Sequence, residues 1–262
     1  MNLTIYYFSA TGNSLHIAKV LCRSAESYRL VAIPTLKNQS SIRADSEYVG
    51  LVFPMHYFGL PPAIEDFASK LILSPTVQYL FAAVTCGNHH FASCFQQLNR
   101  LLAPQQRQLD GAFYIDMIST YLPLSDIPRP EQTRQRLRRA QEKAEQVASW
   151  VVAKKQVVEP EYLYWPCRHI NTFWKQRLLA DKGKQFYYTP ACIACGRCAS
   201  VCPANNIVMT NEGLPEWRNN CQECLACLHL CPVGCIEFGQ RTRGRMRYHH
   251  PAVQIEELIF PQ

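Results

Sequence analysis

The sequence predicts an α/β chain: a doubly wound parallel sheet first, then a small cysteine-rich α+β domain. Three observations carry this. Apolar, β-prone runs alternate with stretches of helical spacing through the first half of the 262 residues. A hydroxyl-rich turn, Phe8-Ser9-Ala10-Thr11-Gly12-Asn13-Ser14, joins the first such run to the first helical stretch. Nine of the 13 cysteines fall between Cys192 and Cys235, in two copies of one motif.

Residues 3–8 (LTIYYF) form the first predicted strand, and Leu15, Ile17, Ala18, Leu21 and Cys22 give residues 13–27 helical spacing. Residues 29–33 and 48–53 are the second and third strands, stopped by Pro34 and Pro54. A helix follows over 61–73, with Pro62 suited to its first turn. Residues 78–85 are the fourth strand, 90–103 a helix and 110–117 the fifth strand. Strands that are apolar almost throughout are buried on both faces, which argues for a parallel sheet in the order 2-1-3-4-5. A helix over 131–156 closes the sheet with a stripe of Leu137, Ala140, Ala144, Val147 and Val151, and its arginine-rich face is solvated. The aromatics of 159–188 are expected to pack between the two domains. The expected boundaries are 1–157 for the sheet domain, 158–186 for the connection, 187–240 for the cysteine domain and 241–262 for a basic tail.

The cysteine runs are Cys192, Cys195, Cys198, Cys202, Pro203 and Cys221, Cys224, Cys227, Cys231, Pro232. Each reads C-x2-C-x2-C-x3-C-P, and one constant offset carries every position of the first run onto the second, and Ile207 onto Ile236. An offset kept through so many positions implies two related halves. Structural zinc uses two C-x2-4-C pairs, four ligands per ion, and fits these runs poorly. They resemble the bacterial-type ferredoxin with two 4Fe–4S clusters, in which the fourth cysteine of each run ligates the other cluster. That resemblance assigns one cluster to Cys192, Cys195, Cys198 and Cys231, and the other to Cys221, Cys224, Cys227 and Cys202. Cys22, Cys86, Cys94, Cys167 and Cys235 are left over as small buried side chains, Cys86 being the one on a predicted ligand loop.

The turn Ser9 to Ser14 lacks the Gly-Lys-Ser/Thr ending of a nucleoside-triphosphate loop, and no GxGxxG occurs anywhere in the chain. What it offers is backbone N–H groups and three hydroxyls at a helix N-terminus, enough for one terminal phosphate. It resembles the flavodoxin loop that grips FMN. That resemblance brings in two further loops, Pro54-Met55-His56-Tyr57-Phe58-Gly59 and Thr85-Cys86-Gly87-Asn88-His89-His90, as flanks of the isoalloxazine ring, and Tyr121 as its cover. These loops hold three histidines and no carboxylate, so the flavin is expected to be easier to reduce fully than a flavodoxin's.

The whole chain resembles the flavodoxin–ferredoxin fusions of the EFR1 type: an α/β flavodoxin-like doubly wound sheet plus a two-cluster ferredoxin domain. The resemblance implies an electron carrier between two 4Fe–4S clusters and FMN, serving a redox partner protein or a small molecule, with no catalytic residue required. An FMN-dependent reductase fed by its own clusters is the alternative, with His56, Tyr57, His89 and His90 to test as proton donors. A nucleic-acid-binding redox sensor, using Arg134–Arg139 and Arg241–Arg247, is a remote third. The formal charge of +7 falls to roughly +1 once two anionic clusters and a flavin phosphate are counted, which weakens that third reading. No run approaches membrane-spanning length and the first residues lack a signal-peptide pattern, so a cytoplasmic protein is expected.

Overall fold

The computed structural model describes residues 1–88 and 91–260. The predicted ligands His89 and His90 lie outside the described residues, as do 261 and 262. Six parallel strands make the main sheet: β1 (Asn2–Tyr7), β2 (Ser27–Ala32), β3 (Tyr48–Pro54), β4 (Tyr79–Cys86), β5 (Gly111–Asp116) and β6 (Val157–Val158). They lie in the order β2-β1-β3-β4-β5-β6. The helices are α1 (Asn13–Cys22), α2 (Pro62–Lys70), α3 (Cys94–Leu102) and α4 (Pro130–Val152).

Alternation along the strands explains the two layers. Ile5 and Tyr7 face one way and pack with α1 and α4, where Ala140, Ala144, Val147 and Val151 are buried. Tyr6 and Phe8 face the other way and pack with α2 and α3 through Ile64, Phe67, Phe95 and Leu98. This is a doubly wound α/β sheet covered on both faces, as continuous apolar strands require. Its order reverses between β1 and β3, and the chain leaves the carboxyl ends of both strands into the loops discussed below.

The differences from the sequence expectation are local. The helix expected over 13–27 ends at Cys22, because Ser27 already pairs with Asn2 as the start of β2. The helix expected over 61–73 ends at Lys70, because Leu71–Leu73 pairs in parallel with Ile42–Ala44 as a small separate ribbon. The helix expected over 90–103 starts only at Cys94, and β6 is an added strand of two residues. The connecting segment holds α5 (Tyr164–Phe173), which runs on as a π-helical turn over Trp174–Leu178. Only part of its aromatic content is buried: Trp174 and Tyr164 are inside, whereas Tyr162 is 85% and Trp165 58% exposed. The buried positions Tyr164, Cys167, Asn171 and Trp174 form one face of a helix whose other face points to solvent.

The cysteine domain repeats in its backbone as well as in its sequence. Strands β7 (Phe186–Tyr188) and β8 (Ile207–Met209) recur, at the offset of the cysteine runs, as β9 (Pro215–Trp217) and β10 (Ile236–Phe238). Helix α6 (Arg197–Ser200) recurs as α7 (Ala226–His229). β7 pairs antiparallel with β10, and β8 with β9, so each ribbon takes one strand from each half. Positive φ angles repeat too: Ala194 and Glu223 stand at 53 and 52, Gly196 and Leu225 at 72 and 59, Asn205 and Gly234 at 48 and 63. The domain's core, with Leu228, Ile236 and Phe238, also takes in Ile118, Leu122 and Ile127 from the chain after β5. After β10 the tail crosses back to α1 and forms a short 3-10 turn at Ile255–Leu258. Among the described residues, no helix is long and apolar enough to cross a membrane.

Candidate functional site

The turn after β1 is built by Gly12. Its φ of +92 is open to glycine at no steric cost, and its N–H is bonded to Ser9 Oγ at 3.2 Å. Asn13, Ser14 and Leu15 follow as the first helical turn, whose N–H groups have no intrahelical partner. Thr85 Oγ1 donates to the Phe53 carbonyl and shares a 2.7 Å hydrogen bond with Ser14 Oγ, whereas Ser9 Oγ acts as an acceptor and keeps its hydrogen for a bound anion. Asn13 is turned inward. Its Nδ2 donates to the Ile118 carbonyl at 3.0 Å and its Oδ1 accepts from Tyr248 at 2.8 Å. Asn13 therefore shapes the loop from within.

This turn opens onto a cleft of about 310 Å³ at the carboxyl ends of β1, β3, β4 and β5. The cleft collects Ser9, Ala10, Thr11, Asn13 and Ser14 from the first predicted loop, Pro54 to Phe58 from the second, and Thr85, Cys86 and Gly87 from the third. Tyr121 also lines it. Gly12, Gly59 and Asn88 do not. Gly59 has a different job: its backbone pairs with His56 at 3.0 Å in both directions, and a Cβ there would lie 2.4 Å from Gln97 Nε2 and 2.5 Å from Asn171 Cγ. Asn171, wholly buried on α5, donates to the His56 carbonyl at 2.9 Å and so holds this loop from beneath.

Two consecutive residues of that loop, Tyr57 and Phe58, stand at φ 44 and 65, a conformation that is strained for bulky side chains. Tyr57 is kept there by its neighbours. Its ring stacks on Trp174, 4.5 Å between centroids and 13° between planes. Burial lowers the His56 pKa to about 4, which leaves the ring neutral at pH 7. Burial likewise pushes the Tyr57 hydroxyl up to about 12.

The far wall comes from the cysteine domain. Glu223, Cys224 and Leu225 line the same cleft, beside Met117, Ile118, Ser119, Thr120 and Leu124. Glu223 brings a carboxylate to a cleft whose predicted ring loops hold none. The carboxylate arrives from 166 residues beyond Tyr57 in sequence, so the loops themselves gave no sign of it. Its side chain is 0% exposed and pairs with Lys182 Nζ at 3.0 Å. Trp174 Nε1 donates to it at 2.8 Å and Tyr121 at 2.5 Å. The Tyr57 hydroxyl lies 2.6 Å from that of Tyr121 and 3.2 Å from the same carboxylate oxygen.

The cysteines form two sets. Cys192, Cys195, Cys198 and Cys231 line one small cavity, which Cys235 also lines. Cys202, Cys221, Cys224 and Cys227 line a second. Each set takes three thiols from one run and the fourth from the other. Burial raises the Cys198 thiol to about 11 and the Cys221 thiol to about 12, with the neighbouring thiols of each set adding to the shift. Such thiols become thiolates only with a cation among them. Among the described residues, no three His, Cys, Asp or Glu side chains converge on a point that would hold a single metal ion. Cys86, 3.6 Å from Asp116 Oδ1, is buried at the edge of the cleft and belongs to neither set.

No family model and no curated protein matches the chain. Among solved structures it is similar to a flavodoxin from the domain Archaea, 11% identical over 58% of this chain and 99% of that one, with a TM-score of 0.34. It is also similar to the Trp repressor binding protein from Bacillus subtilis, 11% identical over 59% and 99%, TM-score 0.37. A third is a variant flavodoxin from Fusobacterium nucleatum bound to flavin mononucleotide, 10% identical over 58% and 96%, TM-score 0.36. Likenesses at this level carry no weight for function. The six-stranded parallel sheet with helices on both faces fits a flavodoxin-like α/β fold in its own right.

Proposed function

We propose that the chain is an electron carrier of the flavodoxin–ferredoxin fusion type, holding FMN in the cleft and a 4Fe–4S cluster in each thiol cavity. One observation carries this reading: Cys224 lines both the cleft and the second thiol cavity. A redox centre in either place would have the same side chain for a wall. FMN exchanges electrons singly or in pairs, whereas each cluster exchanges one, so the pair links one-electron and two-electron chemistry.

The donor sets fit. Four thiols around a small cavity, three from a tight loop and one from the other run, suit a polynuclear cluster better than one ion. At the cleft, the free N–H groups of the first turn of α1 and the Ser9 hydroxyl would hold the phosphate. The loops at Pro54–Phe58 and Thr85–Gly87 would flank the ring. Tyr121, Tyr57 and Glu223 close the cleft toward the cysteine domain, and this closure supports a carrier over a reductase. His56, neutral at pH 7, would add no charge of its own beside the ring. Electrons would pass to or from a redox partner protein.

The reductase reading keeps one observation in its favour. Leu124, 73% exposed, and Phe58 stand at the rim of the cleft and leave it open to solvent on that side. In the tail, Arg243, Arg245 and Arg247 each donate a hydrogen bond within the chain, to Tyr187, Leu122 and Ile236.

Anaerobic purification with iron, zinc and flavin analysis tests the proposal. About eight irons and one FMN per chain are expected, with a flavin band over a broad iron–sulfur absorbance. Stoichiometric zinc, or iron without flavin, overturns it. Oxidation of the reduced flavin by a defined small molecule, faster than through the clusters, would shift the conclusion to the reductase.

A further inference from the structure

We propose that Glu223 is a positioning residue that fixes the second cysteine loop against the flavin cleft, and so sets the rate of electron exchange between the two. The inference rests on the function proposed above and adds a role for a residue outside both cofactor sets.

The repeat supplies an internal control. Glu223 and Ala194 occupy equivalent places in the two runs and share a left-handed backbone with φ of 52 and 53. The turn between the first two cysteines of a run is therefore made without a carboxylate in the first half, where Ala194 is exposed. Folding of the loop does not explain the acid. What differs is the surroundings: only the second run faces the cleft.

The carboxylate reaches three other segments. Tyr57 comes from the loop after β3, Tyr121 from the chain after β5, and Trp174 and Lys182 from the connection between the domains. A carboxylate with no solvent exposure is costly unless such partners meet it, and removing it would leave the ammonium, the indole and the hydroxyls without their common acceptor. Tyr57 and Tyr121 line the cleft themselves, and Cys224 is the next residue in the chain. One side chain thus ties the cluster's ligand loop to the walls of the ring site.

In the step concerned, one electron leaves the reduced cluster and one enters the flavin; no bond to the protein forms or breaks. The holoprotein is tested by reducing the clusters with a short photochemical pulse and following flavin bleaching at its own absorption band. Glu223→Ala is expected to keep iron and FMN while slowing bleaching by about tenfold or more, the scale on which small misplacements act. Glu223→Gln keeps one carbonyl oxygen, which can accept from Tyr121 at the Oε1 position, and loses the acceptor for Trp174 at Oε2; it is expected to slow bleaching by less than Glu223→Ala does. Visible circular dichroism of the bound flavin should change more in Glu223→Ala than in Glu223→Gln.

A Glu223→Ala rate equal to the parent's overturns the inference. So does a Glu223→Gln as slow as Glu223→Ala, because the acceptor it retains would then hold nothing in place. If Glu223→Ala fails to load its clusters, Tyr57→Phe combined with Tyr121→Phe removes two donors without touching the ligand loop. Slowing supports the inference in that variant, and an unchanged rate overturns it. A parent protein lacking iron or flavin overturns the proposed function and this inference together, whereas full cofactors with an unchanged Glu223→Ala rate overturn this inference alone.

Discussion

At Gly12 a methyl group would stand 3.0 Å from His250 Cβ and 3.1 Å from Val253 Cβ, on a backbone whose φ of +92 L-residues avoid. Gly12→Ala should therefore cost about 1–3 kcal/mol of stability and weaken FMN binding, measured by thermal unfolding and by flavin fluorescence titration. His56 gives a pH prediction. Its pKa falls from 6.5 to about 4 in the fold, so between those values the unfolded chain binds more protons and stability drops as pH falls. Replacing it with asparagine should flatten the acid limb of a denaturation series by an amount on the order of 3 kcal/mol. In the parent, a ring-proton NMR titration should show His56 uncharged at pH 6. At this scale legibility followed chain distance. The repeat of the cysteine runs could be read because its spacing is local and strict. Glu223, Asn171 and Trp174 could not, because each acquires its role from partners in distant segments of the chain.

Among the elements, α5 shows how the connection serves the site. Asn171 donates to the carbonyls of His56 and Leu60, and Trp174 backs Tyr57. Asn171→Ala would take the side-chain donor from the Leu60 carbonyl and leave the His56 carbonyl with the Gly59 N–H alone, and should cost about 1–3 kcal/mol, with weaker flavin binding as the site-specific sign, read from unfolding midpoints and fluorescence. An equal loss of stability with unchanged binding would mean that α5 merely packs. The long strands were legible because burial on both faces leaves an unbroken apolar run. The short β6 and the ribbon of Ile42–Ala44 with Leu71–Leu73 were not, since segments of such length carry no periodicity. The aromatics of 159–188 misled for a related reason: a helix has two faces, and composition does not say which one is covered.

Across the whole molecule the two halves are joined by apolar packing and by the tail. Val201, Ala226 and Leu230 of the cysteine domain share a core with α1 and α4, and Val253 and Leu258 of the tail join them. His250 donates its N–H to the Thr11 carbonyl at 2.8 Å and stacks its ring on His16, 4.0 Å between centroids. Burial lowers both rings, His250 to about 3, and neither tolerates a charged neighbour so close. Stability from this stack is complete above pH 6.5 and drains away below it, as the unfolded chain takes up protons that the fold refuses. Flavin retention should fall toward pH 5 in step, and His250→Phe should keep the stack and weaken that dependence by the share of His250, as judged by flavin fluorescence after rapid filtration. The parallel sheet was legible from its continuous apolar strands. This return of the tail was not, because a basic irregular stretch carries no pattern that names its target. It has a consequence in time. The phosphate turn is synthesised well before its outer cover, so a growing chain presents an uncovered turn until His250 is out. Flavin captured early would be exchangeable and flavin captured late would be locked. A chain ending at Gln240 should therefore release FMN faster than it loses affinity for it, a distinction that stopped-flow displacement and equilibrium titration would separate.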